Sequence, residues 1–288
     1  MPKIFITGAT GTVGTQLIPV LARRGADVRV GVRSPDKARH LAELGAEVVR
    51  FDLEDRATVH AALAGVDRLG VIMPPFLVGS PAEASLVGAA REAGVRFVTR
   101  LSTIGATADG LTPMARHHAA ADERVRTSGL DWTLIKPTFF MDNLLTYSID
   151  SIHRDGAFYG AAGDGKASWV SSRDIAEVAA AALLDPSAHR GQDYELTGPE
   201  ALSSAEVAAL ASEVAGRTIR YVDIPAETLR SNLIAAGTPA AFADGIVTLE
   251  ALKASGKMAA VSPNVERILG RPGERYRDFL LRNRARLA

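Results

Sequence analysis

A glycine-rich turn near the amino terminus constrains the fold more strongly than any other feature of the sequence. Glycine recurs at every third position in the string Gly8-Ala9-Thr10-Gly11-Thr12-Val13-Gly14, directly after an apolar run at residues 3–7 and directly before a helical pattern. A strand that turns sharply on glycine into a helix is typical of the first βα unit of a parallel sheet. The alternative, a tight turn without a ligand, is disfavoured by this βαβ context.

Short apolar runs alternate with helical patterns through the first half of the chain. Strands are predicted at residues 3–7, 27–32, 47–51, 68–72, 96–101 and 132–136, and later at 194–196 and 218–223. Four intervening helices are predicted to stop before a glycine in the left-handed conformation, at Gly25, Gly45, Gly94 and Gly129. This alternation predicts an α/β fold with a Rossmann-type, doubly wound parallel sheet.

The pattern loosens after Pro137. A helix is predicted through residues 140–153, a glycine-rich break at 156–165 and another helix at 171–184, and the chain from Ser203 onward is mostly helical. We therefore predict a dinucleotide-binding domain at residues 1–155, to which 171–198 return. A smaller, mostly helical substrate-binding lobe is predicted at 156–170 and 199–288.

Composition excludes several classes of partner. Lys plus Arg and Asp plus Glu number 33 each, so no net field favours nucleic acid. The chain has no cysteine, which suits a reducing compartment. No apolar run approaches the ~20 residues of a membrane span, and the amino terminus lacks a signal-peptide core. We expect a cytoplasmic monomer or homodimer that acts on a small molecule, with neither nucleic acid nor membrane as partner.

The glycines also predict a cofactor. Gly8 and Gly11 allow backbone N–H groups to approach a pyrophosphate at the helix amino terminus, and Gly14 lets the helix lie close to the strand. An NAD site usually has an acid after the second strand, but Arg33 stands there and can pair with a 2′-phosphate. The alternative is an Arg33 on a solvated loop without a ligand. The sequence favours NADP(H) over NAD(H).

Asp52 follows the third predicted strand and has two interpretations. Its carboxylate can accept a hydrogen bond from the adenine amine, or it can cap the following helix. Both stay open at this point.

Four segments together resemble the NmrA-like group of atypical short-chain dehydrogenase/reductases, which includes quinone, dye and isoflavone-type reductases. The resemblance covers nearly the whole chain and rests on TGATGTVG, VRSPDKA, SGLDWTLIKPTFFMDN and GRTIRYVDIP. It implies a Rossmann domain with the cofactor across the strand ends and a smaller carboxy-terminal lobe over the nicotinamide.

The resemblance also implies roles for individual residues. The adenosine and phosphates would be held by Gly8, Thr10, Gly11, Thr12, Val13 and Arg33. Met73 and Pro74 would lie along the cofactor. The residues near the nicotinamide would be Pro137, Thr138 and Phe139.

The Tyr-x-x-x-Lys pair of the wider superfamily is absent. Four residues after the five tyrosines stand Ser151, Gly163, Gly198, Pro225 and Leu280. The helix where the pair would lie offers His117, His118 and Asp122 instead, and the last two share a face as i, i+4 neighbours. An imidazole oriented by a carboxylate can relay a proton near neutral pH. The alternative is a surface His–Asp pair without a catalytic role. No metal site is predicted, because the side chains of adjacent histidines diverge on a helix.

Further candidates follow the fifth and sixth strands. Ser102 can donate a hydrogen bond to a substrate carbonyl beside the nicotinamide, although hydroxyls also occur at strand ends for turn formation alone. Lys136 either approaches the catalytic edge or fixes the loop. The predicted substrate-binding residues are Thr103, Phe140, Asn143 and Tyr147. The aromatic residues after Pro137 either line an apolar pocket or belong to the core.

These observations predict an NADPH-dependent reductase that transfers a hydride to a carbonyl or quinone of a bulky, aromatic substrate without the usual Tyr-x-x-x-Lys pair. Hydride transfer needs mainly that cofactor and acceptor are held in contact. The alternative is a non-catalytic, NADP(H)-binding redox sensor that acts through a protein partner, and the missing Tyr and Lys favour it.

Overall fold

The computed structural model describes residues 1–287, apart from the side chain of Lys37, and it divides into two compact units. The first unit comprises Met1–Gly110, Met114–Pro137 and Ser172–Glu195. The second comprises Leu111–Pro113, Thr138–Ser171 and Leu196–Ala288.

Eleven strands lie in the part of the chain that the structure describes. They are β1 (Lys3–Ile6), β2 (Asp27–Val32), β3 (Glu47–Arg50), β4 (Arg68–Val71), β5 (Phe97–Leu101), β6 (Asp131–Pro137), β7 (Ala157–Gly160), β8 (Lys166–Ala167), β9 (Gln192–Leu196), β10 (Leu202–Ser203) and β11 (Arg220–Asp223).

The helices are α1 (Gly14–Arg23), α2 (Arg39–Glu43), α3 (Arg56–Leu63), α4 (Pro81–Glu92), α5 (Pro113–Arg126), α6 (Asn143–Tyr147), α7 (Ile149–Asp155), α8 (Ser172–Leu184), α9 (Pro186–His189), α10 (Ser204–Ala215), α11 (Ala226–Ala235), α12 (Ala240–Ala254), α13 (Asn264–Leu269), α14 (Tyr276–Arg282) and α15 (Arg284–Leu287). Short 3₁₀ turns lie at Pro35–Ala38 and Pro75–Leu77. No helix among the described residues combines the length and hydropathy needed to cross a bilayer.

The main sheet has seven strands in the order β3-β2-β1-β4-β5-β6-β9. The pairings of β1 with β2 and β4, of β2 with β3, and of β5 with β4 and β6 are all parallel. This is the Rossmann strand order, and it reverses direction between β1 and β4. The predicted fold class is confirmed, and the glycines predicted to end helices have positive φ angles, for example 70° at Gly25 and 86° at Gly94.

Helices cover both faces of this sheet, which explains the unbroken apolar character of its strands. In β1, Ile4, Phe5 and Ile6 are all buried. On the face covered by α3 and α4, Phe5 packs edge-on against Phe51 with ring centroids 5.2 Å apart. Strands buried on both faces read as continuous apolar runs rather than as an alternating pattern.

The second unit has its own core and two small sheets. In these sheets β7 pairs with β11 in parallel, and β8 pairs with β10 in antiparallel orientation. Strand β7 lies where the sequence predicted only a glycine-rich break. Helices α6 and α7 replace the single helix predicted over residues 140–153, since the backbone leaves helical geometry at Ser148, where φ is −120°. Both helices belong to the second unit because Leu144, Leu145 and Ile152 are buried in its core.

The crowding around Gly31 on β2 predicts a stability effect. A Cβ atom there would lie 2.7 Å from the Phe5 ring and 2.8 Å from Phe51, so Gly31→Ala should lower the free energy of unfolding by about 1–3 kcal/mol. A Cβ on Gly88, in α4, would meet no atom within 4 Å, so Gly88→Ala should raise it by about 0.5–1 kcal/mol. Urea unfolding of both variants checks this, and equal stabilities would contradict the packing.

Candidate functional site

The turn after β1 requires glycine because backbone segments approach one another closely. Gly8 has a φ angle of 63°, and a Cβ there would lie 2.5 Å from the Ile72 carbonyl oxygen. A Cβ on Gly14 would lie 2.2 Å from the Gly8 carbonyl oxygen. Gly11 is less constrained, since its Cβ would be 3.3 Å from the same oxygen. The turn therefore brings α1 directly against the end of β1.

The amino terminus of α1 is open to an anion. Val13, the residue before the helix, has no polar side-chain atom that could cap it, and the first turn contains no acid. Thr10, Gly11 and Thr12 are exposed. Unpaired N–H groups and the helix dipole favour a phosphate at such an end. The residues present fit a dinucleotide pyrophosphate.

Thr7 joins the two central strands beside this turn. Its hydroxyl accepts a hydrogen bond from the Ile72 amide at 2.9 Å and lies 3.1 Å from the Ile72 carbonyl oxygen. Met73 and Pro74 follow, both half-buried. Sequence reasoning missed Thr7, although a hydroxyl at the end of the first strand, where strand order reverses, is a usable signal.

The two residues predicted to contact the adenosine lie at the ends of β2 and β3. Arg33 is exposed directly after β2. Asp52 is half-buried, and its carboxylate accepts from the Glu54 amide at 3.1 Å. The interpretation of Asp52 as the helix cap is wrong, because Asp55 caps α3 by accepting from the amides of Ala57 and Thr58.

A buried polar network occupies the region where the sequence predicted catalytic side chains. Arg100, in β5, is only 1% exposed and lies between two carboxylates. Its Nε is 2.9 Å from Glu83 of α4, and its Nη1 is 2.8 Å from Asp122 of α5. Glu83 also accepts from the Gly79 amide at 2.6 Å. Neither Arg100 nor Glu83 was predicted, because a charged residue inside a strand or helix pattern carries no sign of its burial.

Asp122 and Ser102 form a pair within this network. The Ser102 hydroxyl donates to Asp122 at 2.7 Å, and both side chains are buried. Burial raises the pKa of Asp122, while Arg100, Ser102 and Lys136 oppose that shift. The role of Ser102 as a donor to a substrate stays a prediction; in this structure its one hydroxyl proton is donated to Asp122.

His118 differs from its prediction in both partner and protonation. Its Nδ1 lies 3.3 Å from Nη1 of Arg100, so the guanidinium and not Asp122 faces the ring. Burial, followed by the charges of Arg100 and His117, lowers the pKa of His118 from 6.5 to about 3. The predicted proton relay near neutral pH is therefore corrected, since the imidazole stays neutral there. The surface-pair alternative is also wrong, because both His118 and Asp122 are buried.

Lys136 fixes the end of β6 rather than standing free. Its Nζ lies 3.3 Å from Asp193 and 3.8 Å from Asp122. Within the described residues, no three His, Cys, Asp or Glu side chains come together in a way that could hold a metal ion.

The remaining predicted residues are spread over different environments. Thr103 is half-buried after β5, and Pro137 ends β6, where its carbonyl accepts from Ile104 at 3.0 Å. In the second unit, the Thr138 hydroxyl is buried without a hydrogen-bond partner among the described residues. Phe139 packs on Trp169 with ring centroids 5.3 Å apart.

The predicted substrate-binding residues of the second unit do not share one environment. Phe140 and Asn143 are half-buried, and Asn143 begins α6. Tyr147 is 75% exposed and so belongs to no apolar core. The structure gives Phe139 an aromatic neighbour and leaves Tyr147 on the surface.

The burial of His118 predicts that stability rises with pH. Its folded pKa of about 3 lies below the reference value of 6.5, so the unfolded chain binds more protons between these values. Below about pH 6.5, each decrease of one pH unit should therefore lower the free energy of unfolding by about 1.4 kcal/mol. Urea unfolding at about pH 7 and about pH 5.5 measures this, with His118→Gln as the control. An equal loss in both proteins would contradict the assignment.

Comparison with known proteins places this site in a family. Residues 2–270 match the model of the NmrA-like family. The chain is 38% identical over 276 residues to an NAD(P)H azoreductase of Xenophilus azovorans, with 96% of each chain covered. An NADPH-dependent quinone oxidoreductase of Escherichia coli, solved with NADPH, matches with a TM-score of 0.85 at 27% identity, over 97% of this chain and 99% of that one. A triphenylmethane reductase of Citrobacter sp. matches with a TM-score of 0.85 at 25% identity, over 98% and 99%.

These matches decide several of the sequence-based predictions. They confirm the family resemblance, the NAD(P)H-dependent oxidoreductase class and NADP(H) as the cofactor. Apart from the corrected interpretations of His118 and Asp52, the roles of individual site residues stay predictions. Because the family model spans nearly the whole chain, the protein belongs to the NmrA-like family.

Proposed function

We propose that the protein is an NADPH-dependent reductase that transfers a hydride to a quinone or related carbonyl of a bulky, aromatic compound. The observation that carries this proposal is the open amino terminus of α1. Gly8 and Gly14 leave no room there for a side chain, and no acid lies in the first turn. This geometry suits an anion such as a pyrophosphate.

Different residues of the first unit bind different parts of the cofactor. The backbone from Gly8 to Val13 binds the phosphates, and Arg33 pairs with the 2′-phosphate that distinguishes NADPH from NADH. When bound, NADPH supplies the hydride. The chain's own contribution is then to orient the cofactor and the acceptor, which accounts for much of a rate enhancement of this kind.

The buried network favours a quinone over a simple ketone as the acceptor. The Ser102 hydroxyl donates to Asp122, and His118 is neutral at physiological pH, so neither is a ready general acid. A ketone would become a strongly basic alkoxide that needs a proton in the transition state. A quinone becomes an aromatic phenolate, which tolerates later protonation by water. The names of the relatives, an azoreductase and a quinone oxidoreductase, support this class of substrate.

The second candidate, an NADP(H)-binding redox sensor, has the same observation in its favour, but the oxidoreductase names of the relatives count against it. A chain that binds the nucleotide without a neutral-pH general acid can report the NADP⁺/NADPH ratio to a protein partner without turnover. Such a protein would bind NADPH tightly and would not oxidise it, whichever acceptor is supplied.

The exposed position of Arg33 predicts the cofactor preference. Arg33→Gln should weaken NADPH binding about tenfold to hundredfold and leave NADH binding unchanged, since a charge-assisted bond to phosphate contributes about 1.5–3 kcal/mol. Arg24→Gln, at the opposite end of α1, is the matched control and should change neither affinity. Isothermal titration measures both nucleotides. Equal weakening of NADH and NADPH would contradict the role of Arg33.

Turnover separates the two candidate functions. NADPH oxidation should be fast with quinones and slow with simple ketones of similar size. Gly11→Ala is the control, because its Cβ would lie 3.3 Å from the Gly8 carbonyl oxygen, which the backbone can accommodate, on the turn to which we assign the phosphates. It should abolish oxidation without unfolding the protein. Tight NADPH binding with no oxidation by any acceptor would favour the sensor instead.

A further inference from the structure

The contact between Arg100 and His118 determines which ring nitrogen carries the proton. Nη1 of Arg100 lies 3.3 Å from Nδ1 of His118. A guanidinium is protonated at all accessible pH values and has only donors, so Nδ1 must be the acceptor. In a neutral imidazole the proton then resides on Nε2.

The guanidinium that imposes this choice is held on two sides. Glu83 of α4 accepts from its Nε at 2.9 Å, and Asp122 of α5 accepts from its Nη1 at 2.8 Å. Lys136 of β6 faces Asp122 from the far side at 3.8 Å. These two carboxylates hold the guanidinium in the orientation that points Nη1 at His118, while Nη2 is buried without a hydrogen-bond partner among the described residues.

The other face of the imidazole is available to a ligand. Among the described residues, Nε2 of His118 makes no hydrogen bond, and the residue keeps 9% of its surface accessible. Nε2 is not among the buried side-chain atoms that lack a partner, so it keeps accessible surface. An oxygen of a bound molecule can therefore accept from it.

We propose that Arg100 is a positioning residue that holds His118 as the Nε2–H tautomer, and that this N–H donates to a hydroxyl or carbonyl oxygen of the bound cofactor or of the acceptor. The identity of the ligand rests on the proposed function, whereas the tautomer does not. His118 thus acts as a neutral donor whose state is constant across physiological pH. The charged or titratable groups that face it are Arg100 of β5 and His117 and Asp122 of α5, with Glu83 and Lys136 behind them.

Nitrogen NMR of protein labelled with ¹⁵N-histidine tests the tautomer without any need for activity. We expect the His118 signals of a protonated Nε2 and an unprotonated Nδ1 at neutral pH, with no titration between about pH 5 and 8. Arg100→Met should give a mixture of tautomers, because the donor that makes Nδ1 the acceptor is gone. Arg29→Met, which removes another half-buried arginine of the first unit, is the matched control and should leave His118 unchanged.

The wild-type spectrum decides the question even where Arg100→Met fails to fold. An imidazolium, or a proton on Nδ1, would overturn the proposal. An unchanged tautomer in a folded Arg100→Met would overturn the role of Arg100.

Titration with NADP⁺ and then with a quinone identifies which molecule accepts the hydrogen bond from Nε2. A downfield shift of the Nε2 proton on adding NADP⁺ assigns the bond to the cofactor, and a shift only after the quinone is added assigns it to the acceptor. No shift with either would overturn ligand donation. An intact Nε2–H tautomer in a protein without turnover would count against the proposed reductase and not against the tautomer.

Kinetics of two neutral variants provide a second readout. His118→Gln places an amide N–H near the position of Nε2, whereas His118→Asn places it near Nδ1. The kcat/KM of the glutamine variant should be about tenfold or more above that of the asparagine variant, because one ligand hydrogen bond contributes about 1–2 kcal/mol. Equal losses in the two variants would overturn the proposal.

Discussion

The close approach of backbone segments after β1 is the constraint on which the candidate site depends. Gly14 lies so near the Gly8 carbonyl that no side chain fits, and Gly8 in turn faces the Ile72 carbonyl of the neighbouring strand. These distances set α1 against the end of β1 at the point where strand order reverses. The position of the open helix end beside the neighbouring strand follows from that placement.

A second constraint lies below the carboxyl end of β5. Arg100 shares its guanidinium between Glu83 and Asp122, and all three side chains are buried. The attraction within a buried ion pair offsets little more than its desolvation cost. The network is therefore better explained by the segments that it holds in place than by a gain in stability. Here the network links the segment at Gly79 to α4, β5 and α5. Burial and then the charge of Arg100 lower the pKa of His118, which would otherwise titrate near neutral pH.

Local patterns were sufficient for most of the fold. Apolar runs and glycines located the strands of the main sheet to within about two residues, because both signals act over a few neighbouring positions. The same reasoning missed β7 at Ala157–Gly160, whose partner β11 lies some sixty residues further along the chain. It also joined α6 and α7 into one helix, since nothing in the sequence around Ser148 marks the break. Errors occurred where pairing across distance, rather than local propensity, decides the structure.

The sequence by itself determined the family, the Rossmann order and the nucleotide turn, because glycine at Gly8 and Gly14 and arginine at Arg33 act through their own local geometry and charge. Only the tertiary structure decided the chemistry around His118. The i, i+4 spacing with Asp122 suggested a proton relay, but the shared face brought both side chains to Arg100, a residue eighteen positions away from His118. A pKa depends on burial and on charges within a few ångströms, and neither quantity is encoded in spacing along one helix.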